Sequence, residues 1–526
     1  MNYTYKNFLP LLLIVLASSF FYVIAVIFYP GFHTDDYFNF GLAVTNYSNI
    51  FSLNFSNLSP YELSHFVIRP VAFINTLLNY YFFGENSQLM KLGIIPIHVA
   101  FVFLFYYLLI LLSDFFKKPH NPYIALAISL VLSFHPNNFW WVYWIGNQNE
   151  LYMILFYTLA LICVLKYILK GDNKFLWLYL VLFLLSIASK QQGLHLPILV
   201  IFALWLFKNK IPAERYKSAM KFSLMGAIFS VVLSGLTFVF FSVDSFKLEY
   251  LFKKPFSMFG NLIFVIFPFY SISVYNFFLQ NKLLAVIAVI LFIVSMVMFA
   301  VKKNHLRNLT ALFVVTIITF YPRIFETANN RINSIHVLFF CIGLYFFIEE
   351  FKIRSKFVYP VLLLFVFLNV LEIQNVSSYC QKINQKIEQE VQQYINSDYS
   401  NANVISVAYQ PHIFPFELYF LKNKKFGFEK VNLIPIGYSS DLIKDNYDFN
   451  SSGKSVKSEI RNDTLIVYTA DKKTSLYKEG FYRNSFTGFD KINISTSDAK
   501  FPLNYLPYSK QRFIYFNNTE WNEVSR

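Results

Sequence analysis

Long apolar runs parted by short basic loops dominate the chain up to about residue 375. A helix needs about 20 mostly apolar residues to cross a bilayer. Runs of this kind, several of them short, predict helices near 8–29, 92–112, 122–135, 149–169, 175–189, 194–208, 221–242, 283–301, 309–322, 335–349 and 357–375. A further apolar stretch at 256–279 is broken near Gly260 and Pro268. After about residue 376 the pattern changes. "QKINQKIEQEVQQYINSD" is polar with helical spacing, and short β-prone runs such as "ANVISVAY" and "DTLIVYTA" follow between Gly, Asn, Asp and Ser. The pattern predicts a membrane domain over 1–375 and a soluble α+β domain over 376–526.

Basic loops orient the helices. With the N-terminus inside, "DFFKKPH", "LKYILKGDNK" and "FKNKIPAERYKSAMK" all fall on the cytoplasmic side. If 256–279 crossed the membrane, "KKNHLRN" would fall outside; if it does not, "KKNHLRN" and "EEFKIRSK" are both inside. The stretch is therefore expected to be re-entrant or interfacial, which backbone at that depth allows only under cover of protein or a water-filled cavity. This gives eleven spans and an extracytoplasmic C-terminal domain. The apolar run near the N-terminus extends to about residue 29, too long for the h-region of a signal peptide, and reads as an uncleaved anchor.

Composition agrees with lipid as the main solvent. The 526 residues are 56% apolar and 14% charged, with 64 Phe and a mean hydropathy of +0.44. Ordinary globular chains are about one quarter charged. The net charge of +15 lies in loops between apolar runs, so it does not call for nucleic acid. Cys163, Cys341 and Cys380 are far apart and suggest neither a disulfide framework nor a zinc site. The abundance of Asn, Lys, Phe and Ile fits a low-GC bacterial gene, hence an inner-membrane location.

With this topology, almost every other ionisable residue gathers at the outer face: Asp35, Asp36, Glu62, His65, Arg69, His98, His135, Glu150, Lys190, His195, Arg323, Glu326 and Arg331. A charge in the apolar slab costs about 2.5–3.5 kcal/mol on insertion scales, so such groups usually face a partner or a cavity. Each has a plain reading. In "HTDDYF", Thr34 or Asp35 caps a helix and Asp36 sits in its first turn. The stretch from Pro60 to Phe83 lies on the membrane surface, with Arg69 snorkelling. Trp140, Trp141 and Trp144 belong to an aromatic belt. Lys190 anchors a helix end, and Glu326 pairs with an Arg of its own loop. The sharper reading is an outward polar cavity, with carboxylates from one loop and cations from others.

Five stretches in order carry a family likeness: "HTDDYFNF", "RPVAFINTLLNYYFFGENSQLMKLGIIPIHVAF", "FHPNNFWWVYWIGNQNELYMILF", "SKQQGLHLP" and "ETANNRINS". Over roughly residues 30–340 the chain resembles the GT-C membrane glycosyltransferases, above all the O-mannosyltransferase-like group. It departs from their pattern at Asn147, where they carry Arg, at Gln191, where they carry Glu, and in a Glu–Arg pair split here into Glu326 and Arg331.

The resemblance implies inverting transfer of a sugar from a polyprenyl-phosphate donor to a lipid, glycan or protein acceptor on the outer side. A positioned carboxylate must take the acceptor's proton, which points to Asp35 first and Asp36 second. Cations stabilise the charge that grows on the leaving phosphate, and Arg69, Lys190 and Arg331 are the candidates. A carboxylate such as Asp36 is also suited to hold a divalent metal, Mg or Mn, against the phosphate. His65, His98, His135, Trp144, Glu150 and Glu326 are the candidates for other substrate contacts. Lys253 and Lys254 are placed to meet anionic head groups. A transporter or flippase also carries intramembrane charges and broken helices, and is the alternative.

Overall fold

The computed structural model describes residues 5–28, 69–84, 86–118, 121–241, 287, 334–351, 353, 355–396 and the C-terminal strands given below. Apart from Ile287, the expected helices at 283–301 and 309–322 and the stretch at 256–279 lie outside the described residues. The chain divides into two compact units. One comprises Met1–Phe28, Ser64–Asn75 and Gln88–Val376, the other Tyr29–Leu63, Thr76–Ser87 and Ser377–Arg526.

The described helices are α1 (Tyr5–Phe28), α2 (Pro70–Phe83), α3 (Ser87–Phe116), α4 (Pro122–Ser133), α5 (Pro136–Tyr143), α6 (Gln148–Lys170), α7 (Lys174–Ser189), α8 (Leu196–Leu206), α9 (Ala213–Phe241), α10 (Ser334–Phe351) and α11 (Ser355–Asn396). Among the described residues, five helical segments are long and apolar enough to cross a membrane: Leu9–Phe28, Ser87–Phe116, Ile145–Lys170, Ala213–Leu236 and Lys356–Asn375. Shorter apolar segments are Pro122–Ser133, Lys174–Ser189, Gln191–Leu206 and Ser334–Glu349. These are the helices of an integral membrane protein. α9 leaves Ile228, Val231 and Val232 exposed, and α11 leaves Val361, Leu363, Leu364 and Phe367 exposed. Large exposed apolar side chains in that number need lipid, not water, beside them.

Local chemistry sets the helix ends. Asn121 caps α4 by accepting from the N–H groups of Tyr123 and Ile124, with Pro122 at the first helical position. α6 and α7 form an antiparallel hairpin that turns at Gly171, whose φ of 83° is left-handed. Arg215, at the start of α9, donates from Nη1 to the carbonyls of Ile168 (2.7 Å) and Leu169 (2.8 Å). It thus satisfies acceptors that the end of α6 leaves open. In the turn, Lys174 hydrogen-bonds Asp172 and holds its exposed carboxyl below the usual range.

Contacts sort the basic segments to one end of the first unit. Phe116 packs on Phe207 and on Phe346, both at 5.2 Å between ring centroids. Ser113 Oγ and Tyr345 OH are 3.0 Å apart. With Arg215 on the end of α6, these contacts gather the ends of α3, α6 and α10 with the starts of α7 and α9. At the opposite end, the start of α6 meets the end of α7 and the start of α10, as described below. α9 runs from Arg215 toward that opposite end, where Ser230 Oγ donates to the carbonyl of Leu194 (2.8 Å). α9 therefore ends, and α10 begins, on the same side.

The second unit carries strands. β1 (Asn403–Ala408), β2 (Leu433–Ser440), β5 (Thr474–Lys478), β8 (Phe513–Phe516) and β9 (Trp521–Val524) form a sheet ordered β5-β2-β1-β8-β9. β1 runs parallel to β2 and β8, and the outer pairs are antiparallel. β3 (Val456–Arg461), β4 (Thr464–Thr469), β6 (Asn493–Ile494) and β7 (Asp498–Pro502) form an antiparallel sheet ordered β3-β4-β7-β6.

Candidate functional site

The site is built on the first turn of α6. The Glu150 side chain is fully buried there, and its Oε2 lies 2.6 Å from Lys190 Nζ. Its Oε1 accepts a hydrogen bond from Ser334 Oγ, at the start of α10. The pair suits both helix ends: a carboxylate in the first turn of α6 and an ammonium on the residue that caps the C-terminal end of α7 each oppose a helix dipole. Because α6 and α7 are antiparallel, those two ends meet.

Two neighbours of Glu150 on α6 turn to another helix. Gln148 Oε1 accepts from Asn75 Nδ2 (3.0 Å), and Tyr152 OH donates to Asn75 Oδ1 (2.9 Å). Positions 148 and 152 are one turn apart, so both reach one face. Asn75 lies in α2.

The stretch after Lys190 forms a 3-10 turn, Gln191–His195, pressed on the hairpin. A Cβ at Gly193 would lie 2.6 Å from Ser186 Oγ and 3.0 Å from the Ser186 carbonyl carbon. Ser186 in turn donates to the carbonyl of Met153 on α6 (3.1 Å). Only glycine permits this approach, which fixes Lys190 beside Glu150. The Tyr157 ring packs 5.7 Å from His195 and 6.5 Å from Phe339.

His98 and His135 lie elsewhere. His98 is fully buried, with Nε2 3.1 Å from Ser133 Oγ and its ring 4.5 Å from Tyr22. Ser133 Oγ is 2.8 Å from Ser18 Oγ, and the Ser133 carbonyl accepts from Tyr22 OH. His98 thereby ties α3 to α1 and α4. His135 caps α5, with Nδ1 accepting from the N–H of Asn137 (3.2 Å). Trp140, Trp141 and Trp144 are all buried. They are interior packing, not an aromatic belt. Trp144 ends α5, 6.4 Å from Trp140. Arg69 precedes α2, and its carbonyl accepts from the N–H of Phe73. Asp35, Asp36, His65, Glu326 and Arg331 lie outside the described residues.

No protein-family model matches this chain, and no curated protein matches it.

Of the residues expected from sequence, the structure brings together Glu150 and Lys190. It adds Ser334, Gln148, Tyr152 and Asn75, which carry no formal charge and so escaped a search for charges. Apart from this set, Lys91 is fully buried near the start of α3 with Nζ 3.9 Å from the ring centroid of Tyr143. Its signal was a lone Lys inside "QLMKLGII". Among the described residues, no group of three or more His, Cys, Asp or Glu is placed to hold a metal.

Proposed function

We propose that the chain is an integral-membrane glycosyltransferase of the GT-C type. It moves a sugar from polyprenyl phosphate to an acceptor hydroxyl on the extracytoplasmic side, with inversion. The observation that carries this reading is the set of partners around the first turn of α6. Four of the five stretches that resemble the family meet there: the second through Asn75, the third through Gln148, Glu150 and Tyr152, the fourth through Lys190 and the fifth through Ser334. Glu150 and Ser334 are 184 residues apart in sequence. Helices that only crossed a membrane would have no reason to gather these stretches around a buried charge.

In this reading Asp35 takes the proton of the acceptor hydroxyl. Asp36 assists it or holds a divalent metal, Mg or Mn. Arg69, Lys190 and Arg331 receive the charge that grows on the leaving phosphate. The carboxylate fixes the cation's position. Asn147 and Gln191 replace a cation and a carboxylate of the family pattern, so the site carries fewer charges than its likeness implies. The two crossings expected from the sequence at 283–301 and 309–322 are in keeping with α9 ending and α10 beginning on the same side. The C-terminal domain then lies outside the cytoplasm.

The test is loss of lipid donor. Purified protein is incubated with polyprenyl-phosphate sugars, and wild type is compared with Asp35→Asn. Wild type should consume one of the common sugar donors and the variant should not. If wild type consumes none of them, the reading fails. Transport in sealed vesicles that survives Asp35→Asn would favour the transporter.

A further inference from the structure

We propose that the basic end of the first unit is a docking collar for anionic phospholipids, independent of the reaction at the opposite end. Residues 114–118, 166–174 and 208–221 hold ten Lys and Arg against Asp114, Asp172 and Glu214. The Phe116–Phe207 contact and the reach of Arg215 to Ile168 and Leu169 set the three segments side by side. Arg215 is committed to those carbonyls.

The lysines are held in a distinctive way. Lys210 Nζ lies 4.8 Å from the ring centroid of Phe116, and Lys208 Nζ lies 5.5 Å from that of Tyr216. Lys166 Nζ lies 5.1 Å from Tyr107 and 5.6 Å from Phe175. A ring face attracts a cation through its quadrupole but leaves the net charge in place. Lys166 and Lys208 have thus given up part of their rotamer freedom and still offer a full charge to an anion.

Apolar surface beside the charges points to a lipid rather than to free phosphate. Trp177 and Trp205 are each 61% exposed, and Leu224 and Ile228 of α9 are exposed with them. Trp177 packs on Phe222 of α9 at 5.1 Å, and Trp205 lies three residues before Lys208. Exposed Trp beside Lys is the pattern of a membrane interface. Here the head group meets the lysines and the acyl chains lie on the apolar helix faces. The electrostatic part is that of an anionic leaflet on basic residues.

The experiment uses the full chain in lipid nanodiscs of phosphatidylcholine, with or without about one third phosphatidylglycerol. Thermal unfolding is followed by tryptophan fluorescence. Ligand binding to the folded state raises Tm by mass action. Phosphatidylglycerol should raise the Tm of wild type by several degrees. The gain should shrink at about 0.5 M salt, where charges are screened within a few Å. Lys166→Gln, Lys208→Gln and Lys210→Gln together should remove at least half of the gain, and the same three positions changed to Arg should keep it. The proposal is overturned if phosphatidylglycerol gives wild type no gain, if the Gln variant keeps all of it, or if the Arg variant loses it too. Glycerol phosphate added to plain discs should do nothing; an equal gain from it would identify the ligand as free phosphate and overturn the lipid assignment.

Discussion

Lys190 Nζ stands 2.6 Å from Glu150 Oε2, yet the two partners are not equally shielded: the lysine side chain is 12% exposed and the glutamate not at all. The asymmetry decides which partner the fold can spare. A lysine that loses its glutamate can turn its ammonium toward water. Among the described residues, a glutamate that loses its lysine keeps the hydroxyl of Ser334 as its partner.

Lys190→Met should therefore destabilise more than Glu150→Gln. Leaving a buried charge unpaired costs about 3–5 kcal/mol, and the first variant should approach that. Gln at 150 keeps an acceptor for Ser334 and leaves no buried anion, so a loss of about 1–2 kcal/mol is expected. The double variant should be more stable than Lys190→Met alone. Unfolding in detergent across this cycle checks the order, and a costlier Glu150→Gln would reverse the assignment.

Gly193→Ala should cost about 1–3 kcal/mol, the usual range for overpacking. The added methyl would meet both Ser186 Oγ and the Ser186 backbone. Ser186→Ala in the same chain should restore only part of the loss, because the backbone contact remains. A proteolysis or unfolding series on the three variants is sufficient. Full restoration would show that only the hydroxyl stands in the way.

Much of the helical frame is legible in the sequence, because lipid and protein interior make the same demand for apolar residues. α6 and α7 fall within one residue of the ends expected for them, and α10 within two residues. Other ends were not legible. α3 begins at Ser87 instead of near 92 because Lys91 is stacked on Tyr143, so a charge there does not mark a helix end. The aromatic run at 139–144 suits a membrane interface as well as a core, and only burial separates the two. The meeting of Glu150 with Ser334 depends on tertiary packing across 184 residues, which no local pattern encodes.

The turn between α6 and α7 should be sensitive to two changes that touch no proposed substrate. Gly171→Ala forces a side chain into a left-handed conformation at about 1–2 kcal/mol. It also sets a methyl 3.0 Å from Arg215 Nε. Arg215→Ala leaves the carbonyls of Ile168 and Leu169 without that donor, at about 1–3 kcal/mol. The effects should be less than additive, since one side chain takes part in both. Unfolding of the two single variants and the double measures this.

α11 gives the test of orientation. It is one helix of 42 residues, of which Lys356–Asn375 is the apolar part. Its start lies just after α10, whose Phe346 packs on Phe116 at the basic end. A crossing helix that starts at the basic end finishes at the opposite one. The positive-inside rule predicts that the basic end is cytoplasmic. A reporter fused after residue 376 should then be active outside the cytoplasm, and one fused after residue 210 should be active inside it. The two fusions must disagree. If both report the same compartment, α11 does not cross and the C-terminal domain lies on the side of the basic loops; if they disagree with signs reversed, the reaction proposed around Glu150 faces the cytoplasm.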